Sequence, residues 1–376
     1  MSNQKKYLEE RRNRLYDLMA RENIALVMFE DAEWRRDPAI RWLTGQPGDA
    51  ALFLSVDRKS LLAPWDINLA KIYAQADYLV PYQDLDRRPL KALRAAIELH
   101  KIPPGSRIEL PLNTSYTMFL KYVEEFADYD VICKTGGIHE AVGELRAVKD
   151  EEELRIYRKA VEITNEIIDL LEVNIRDGTL KTEADTALFI EAEGRRRDCE
   201  GVGFETLAAN PSRSFGIHAF PTYTGLPFIG KGFSILDFGM KYSGYTTDVT
   251  LTFVREPLVK AQERTLNLVE QAAALAFSLV EEGADPRAIA QAVDAFFEES
   301  KQVMPHGLGH GIGLEAHEVP FLRSRSDSGI TLQPGMIFTI EPGLYNPVLG
   351  GCRLENDILL TANGPELLTK SRIIRL

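Results

Sequence analysis

Cysteine is scarce in this chain: Cys133, Cys199 and Cys352 are the only three in 376 residues, widely spaced and odd in number. They offer neither a disulfide framework nor a CxxC zinc site, which fits a reducing compartment. Positive charge is also in short supply. Lys and Arg total 44 against 56 Asp and Glu, for a formal charge of −12. No basic excess exists to displace counterions from phosphate, so a nucleic-acid partner is not expected. The basic clusters Arg11-Arg12 and Arg195-Arg196-Arg197 read as solvated faces. Long apolar stretches are missing too. Met1 to Arg14 is charged where a secretory signal would be apolar, and the longest apolar run, Ala272 to Val280, falls short of a membrane span. A cytoplasmic protein with no membrane partner is the expectation.

What is present is ordinary globular composition, 45% hydrophobic and 27% charged, over a length that suits two domains. Up to residue 145 the pattern is α/β. Ile24–Phe29, Ala51–Val56 and Arg107–Leu110 read as strands, and Pro89–His100 and Tyr116–Phe126 as helices. This part has no Gly-rich phosphate loop and no catalytic cluster; its histidines, His100 and His139, stand alone and read as structural or solvated. From residue 146 onward the character changes. Asp150 caps a helix that opens with Glu151-Glu152-Glu153 at the positive end of its dipole. Thr182 caps a second helix, with Ala184, Leu188 and Ile190 as its apolar contacts.

The same order then returns. A helix carrying Leu266, Val269, Ala273 and Val280 stops at Glu282-Gly283, and Asp285-Pro286 starts another through Ile289, Val293 and Phe296. After each helix pair come histidine-bearing segments and two strands, each strand with one acid. The first half has His218, Asp237 and Asp248; the second has His310, Glu341 and Glu355. The offsets agree: 105 for Gly178 to Gly283, 104 for Asp237 to Glu341, 107 for Asp248 to Glu355. This is a duplicated unit, and packing about an approximate two-fold axis would bring all four acids to its centre.

Acids in such apolar strands are costly to bury unless paired or bound to cations. Four meeting at one place would repel each other and be driven toward protonation. Two divalent ions would cancel that charge and activate a bridging water. Oxygen-rich donors with one imidazole favour Mn²⁺, and Co²⁺, Zn²⁺ or Fe²⁺ also fit. Taken singly, any of these acids reads as a cap, a turn residue or half of an ion pair; five candidates at matched positions argue otherwise. The most specific local signal is His306-Gly-Leu-Gly-His310-Gly-Ile-Gly-Leu-Glu-Ala-His317-Glu318, whose glycines let backbone approach the site closely. Glu315 and Glu318 read as solvated loop residues. The segment is neither a zincin helix, lacking HExxH, nor a P-loop, lacking GK[ST].

Together Leu236-Asp237-Phe-Gly239, Gly244-Tyr-Thr-Thr-Asp248-Val-Thr250, His306–His317, Thr339-Ile-Glu341-Pro-Gly343 and Arg353-Leu-Glu355-Asn-Asp357 resemble the pita-bread metallopeptidases, which include methionine aminopeptidase, Xaa-Pro aminopeptidase and prolidase. The likeness runs from about Asp150 onward. It implies an α/β N-terminal domain (1–145) of the creatinase/prolidase type before an α+β pita-bread catalytic domain (146–376) with internal pseudo-two-fold symmetry. It implies that Asp248 and Glu355 bridge two metal ions, that Asp237 binds one, and that His310 and Glu341 bind the other. Glu341 would also move the proton, while His218 and His317 would hold substrate and stabilise charge on the scissile carbonyl. His306 and Arg353 match substrate-binding positions of the proline-specific members. The implied activity is hydrolysis of the N-terminal Xaa-Pro bond of short peptides, by a homodimer. A metal-dependent non-peptidase hydrolase or lyase, or a non-catalytic binding protein, are the competing readings. One departure stands out. The family often reads Asp-x-Thr-Arg-Thr where this chain has Asp248-Val249-Thr250-Leu251-Thr252, which bears on the charge around the ligands and on proline specificity. Asp37-Pro-Ala-Ile-Arg41-Trp42-Leu-Thr-Gly45 resembles a segment that can border the substrate entrance, although core packing is the reading for Trp42 and Leu43.

Overall fold

The computed structural model describes residues 2–325 and 329–376, and the chain divides into units 1–145 and 146–376. In the first unit, strands β1 (Leu26–Asp31), β2 (Ala50–Ser55), β3 (Lys59–Pro64), β4 (Tyr78–Leu79), β5 (Arg107–Glu109) and β6 (Asp130–Ile132) form one sheet, ordered β4-β3-β2-β1-β5-β6. Strand β1 runs antiparallel to β2 and parallel to β5. Every residue of β2 is buried, so it reads as an unbroken apolar run rather than an alternation. The helices are α1 (Ser2–Arg21), α2 (Pro38–Thr44), α3 (Ile67–Tyr73), α4 (Pro89–Leu99) and α5 (Tyr116–Glu125), and α6 (Ile138–Ala147) crosses the division. Ala92, Leu93, Ala96 and Ile97 put the buried stripe of α4 into the same core as Met28 and Phe53.

Arg11 and Arg12 are not solvated. Both are buried, and their Nη1 atoms donate to the carbonyls of Trp42 at 3.0 Å and Leu43 at 2.6 Å. These carbonyls lie in the last turn of α2, where helical partners run out and cations are favoured. Trp42 and Leu43 pack in the core as expected, and His100 and His139 are interior as well, His139 against the Phe29 ring at 4.5 Å.

The second unit opens with α7 (Glu151–Arg176) and α8 (Glu183–Arg195), each started by a capping box, Asp150 with Glu153 and Thr182 with Asp185. On α8 the buried positions are 183, 186, 187, 190, 193 and 194; Leu188 lies off that stripe and is exposed, unlike its expected role. Next come β7 (Gly201–Val202), β8 (Leu207–Ala209), β9 (Gly232–Phe238), β10 (Met240–Tyr242), β11 (Tyr245–Thr246) and β12 (Val249–Arg255). Helices α9 (Lys260–Ser278) and α10 (Pro286–Glu299) follow, the latter capped by Asp285 with Pro286 at its start. Phe297, rather than Phe296, completes the fully buried stripe of α10. The chain ends in β13 (Gly309–Gly311), β14 (Glu318–Leu322), β15 (Ile337–Ile340), β16 (Gly343–Asn346), β17 (Gly350–Arg353), β18 (Asn356–Thr361), β19 (Gly364–Leu367) and β20 (Ile373–Arg375).

Two sheets hold the site, β20-β12-β9-β8 and β14-β13-β15-β18-β19. Each centres on an antiparallel pair, with Thr250 opposite Asp237 in one and Thr339 opposite Asp357 in the other. Helix pair then strand pair occurs twice, and a bridge between Thr250 and Glu355 joins the two sheets. Among the described residues, no helix is long and apolar enough to cross a membrane.

Candidate metal centre

Strand alternation selects what faces the centre. Val249, Leu251 and Phe253 point from β12 into a core with Leu236 and Phe238 of β9, which leaves Asp237, Asp248 and Thr250 on the opposite face. Leu251, the departure from the family pattern, is therefore core and fully buried, turned away from the ligands whose charge it was expected to alter. From the other sheet, β13 supplies His310. A Cβ on Gly309 would sit 2.0 Å from the Thr339 carbonyl oxygen and one on Gly311 2.1 Å from that of Val319. Only glycine lets this strand run so close to its neighbours. Glu341 follows β15 directly, and Glu355 stands between β17 and β18.

One donor atom each from Asp248, His310 and Glu355 lies within 4.8 Å of the others, and all three residues are buried. Nε2 of His310 is 3.4 Å from Glu341 Oε1 and 3.9 Å from Asp248 Oδ2. Its Nδ1 meets the Gly311 carbonyl oxygen at 3.1 Å. A carbonyl can only accept, so Nδ1 carries the hydrogen and the Nε2 lone pair faces carboxylates. A lone pair facing carboxylate oxygens suits a cation placed between them. Asp237 Oδ2 accepts from Arg353 Nη2 at 2.5 Å, while among the described residues Oδ1 of Asp237 and Oδ1 of Asp248 are buried without a hydrogen-bond partner. Unpaired buried carboxylate oxygens beside a neutral imidazole fit a divalent ion.

Electrostatics agree. Burial, then Glu355 and Asp237, hold the Asp248 carboxyl well above the usual carboxylate range. Burial and Glu355 do the same to Glu341. Burial and Asp237 push Glu355 up to about 7, although Arg353 and Thr250 pull it down. Burial, then His317, lowers His310 to about 3, keeping it neutral. Cations would remove the strain on all four groups at once.

Around this core, the His317 ring lies 4.1 Å from that of His310. His306 donates from Nδ1 to the Gly307 carbonyl at 2.8 Å, so its Nε2 accepts from the Tyr345 hydroxyl at 3.0 Å. Burial, followed by Arg353, lowers His306 to about 4. Arg353, expected at a substrate-binding position, is enclosed among protein partners. Besides Asp237 it donates to Thr250 Oγ1 at 2.9 Å, Tyr345 Oη at 2.7 Å and the Ile217 carbonyl at 3.1 Å, and it is 2% exposed. His218 follows Ile217 but is itself exposed, and among the described residues no hydrogen bond ties its ring to the cluster. Glu318 is not a solvated loop residue. It is buried between Arg146 and Lys149, the latter at 3.4 Å, and it accepts the Glu315 N–H at 2.9 Å; Glu315 itself is half exposed.

Motif reading missed Thr250, Tyr345 and Asp357. Thr250 donates to Glu355 Oε2 at 2.6 Å, and its position two past Asp248 was a signal, since alternation returns it to the same face. Asp357, wholly buried, accepts the Asp248 N–H on Oδ2 at 3.2 Å, and the same spacing from Glu355 marks it. Tyr345 comes round through the β16–β17 hairpin and carries no such mark.

Residues 155–362 match the family described as metallopeptidase family M24. An uncharacterised peptidase of Methanocaldococcus jannaschii is 32% identical over 71% of this chain and 73% of the relative. An Xaa-Pro dipeptidase of Pyrococcus furiosus is 31% identical over 69% and 74%. The X-Pro aminopeptidase structure from Thermotoga maritima aligns with a TM-score of 0.83 at 26% identity, covering 97% of this chain and 99% of the other. The pita-bread fold implied by the motifs is thus present, and the chain belongs to metallopeptidase family M24, a family of hydrolases that use divalent metal.

Proposed function

We propose that the protein cleaves the N-terminal Xaa-Pro bond of short peptides, as a dipeptidase or aminopeptidase, with two divalent metal ions, Mn²⁺ foremost. The observation that carries this reading is the meeting of the Asp248, His310 and Glu355 donors within 4.8 Å, flanked by Asp237 and Glu341. The relatives named for Xaa-Pro substrates support the choice of bond. Asp248 and Glu355 would be shared ligands, with Asp237, His310 and Glu341 completing the set that would hold the ions. When bound, the ions supply the charge that activates water and polarises the scissile carbonyl.

The chain's own groups do the rest. Glu341, whose carboxyl is held above the usual range by burial and Glu355, is suited to take a proton and pass it to the leaving nitrogen, a service worth about 10²–10⁴ in rate. His317, next to His310, donates to the oxygen on which charge develops. His218 and His306 line the peptide's path. Arg353 acts through Asp237 and Tyr345, since four of its five donors are held by protein partners. Metal-loaded protein incubated with Xaa-Pro dipeptides and tripeptides should release the N-terminal residue; no product with Mn²⁺, Co²⁺, Zn²⁺ or Fe²⁺ overturns the reading. A cytoplasmic homodimer goes with it, and sedimentation equilibrium tests the dimer.

A further inference from the structure

The residue two places beyond each bridging acid reaches across to the acid of the other half. Thr250, two past Asp248, donates its hydroxyl hydrogen to Glu355 Oε2 at 2.6 Å, and its carbonyl accepts the Glu355 N–H at 3.3 Å. Asp357, two past Glu355, accepts the Asp248 N–H on Oδ2 at 3.2 Å. The offset of 107 that relates Asp248 to Glu355 also relates Thr250 to Asp357. Both residues are fully buried, so neither tie is shared with solvent. The donor sense of Thr250 is fixed as well. Arg353 Nε donates to its oxygen at 2.9 Å, which turns the hydroxyl hydrogen toward Glu355. Asp357 is anchored in turn by its own N–H, donated to Thr369 Oγ1 at 2.8 Å.

We propose that Thr250 and Asp357 are a reciprocal pair of positioning residues: each half clamps the bridging acid of the other, and together they set the separation of the Asp248 and Glu355 carboxylates, hence the affinity for a metal pair. The inference rests on the two-metal reading above. Two buried carboxylates repel without cations, and metal–ligand distances are expected to hold to within about 0.2 Å of their standard values. A framework that holds them together before the ions arrive therefore acts directly on binding. Groups that orient ligands in this way typically contribute about 10- to 100-fold in metal affinity.

Four variants test it by calorimetric titration of chelated protein with Mn²⁺, by the electron paramagnetic resonance of the loaded protein, and by melting of the metal-free form. Thr250→Val removes the hydroxyl tie with little change in volume, and Asp357→Leu removes the carboxylate tie with a bulkier side chain; Thr250→Ser and Asp357→Asn keep a donor and an acceptor in place. The first pair should weaken Mn²⁺ binding about 10- to 100-fold and replace the coupled-pair signal with that of isolated ions. The second pair should stay within about threefold of the parent, well inside that range. Parent-like binding by the Val and Leu variants overturns the inference, as does an equal loss in the Ser and Asn variants. Should a Val or Leu variant not fold, the Ser and Asn affinities still decide, because a hundredfold loss there contradicts it. A parent that binds no divalent ion brings down the two-metal reading itself.

Discussion

Glu355→Gln should stabilise the metal-free protein at neutral pH, although it removes a proposed metal ligand. In the folded chain the Glu355 carboxyl is pushed from 4.5 to about 7 by burial and Asp237. A group whose folded value is raised contributes stability below its unfolded value, and that contribution is lost as pH rises through the folded one. The window therefore runs from pH 4.5 to about 7. By pH 7.5 the ionised carboxylate costs the metal-free fold roughly 3 kcal/mol, at 1.4 kcal/mol per pKa unit. Glutamine has no charge to desolvate and still accepts from Thr250. At about 2–4 °C per kcal/mol for a domain of this size, the chelated Gln variant should melt about 6–12 °C above the chelated parent at pH 7.5, and about level with it at pH 4.5. Mn²⁺ should raise the melting point of the parent far more than that of the variant. Scanning calorimetry in chelator and in Mn²⁺ at the two pH values measures both. A chelated Gln variant that melts at or below the parent at pH 7.5 would refute the claim that these carboxylates are strained without cations.

Arg353→Ala should lose about 3–5 kcal/mol, because the mostly enclosed Asp237 then loses its ion-pair partner; denaturant titration reads the loss, and Arg353→Lys should recover only part of it, lacking the planar fork. Leu251→Ala should cost about 2–5 kcal/mol as a core cavity while leaving KM for Xaa-Pro substrates unchanged, and a changed KM would show that this position does bear on the substrate. Glu318→Gln should destabilise the fold by about 3 kcal/mol or more, since Arg146 and Lys149 keep their buried charge; an unchanged unfolding midpoint counts against that network. Loading with Mn²⁺ should tighten as pH rises from 5 to 7.5, because Glu355 must shed its proton first, and a pH-independent titration would contradict this.

Local chemistry made much of the fold legible. Asp150, Thr182 and Asp285-Pro286 start their helices as the capping pattern says, because a cap acts on backbone one turn away. The acids stood out because a carboxylate inside an apolar strand contradicts its surroundings. Where partners are distant in the chain, the pattern was mute. Arg11 and Arg12 look like any basic pair until the last turn of α2 meets them. Glu318 looks like a loop acid until Arg146 and Lys149 close on it from far up the chain. Leu251 reads as a gap in a motif, yet its place on β12 turns it into the core, where an apolar side chain is the ordinary choice.

The candidate donors come from both repeats: Asp237 and Asp248 from the first, His310, Glu341 and Glu355 from the second. No stretch of chain shorter than the full duplicated unit owns a complete set. A chain that ends after β12 holds two of these five residues and lacks His310. The site is thus assembled only when the second repeat folds against the first, and a chain truncated after β12 lacks three of the five groups that would hold the ions.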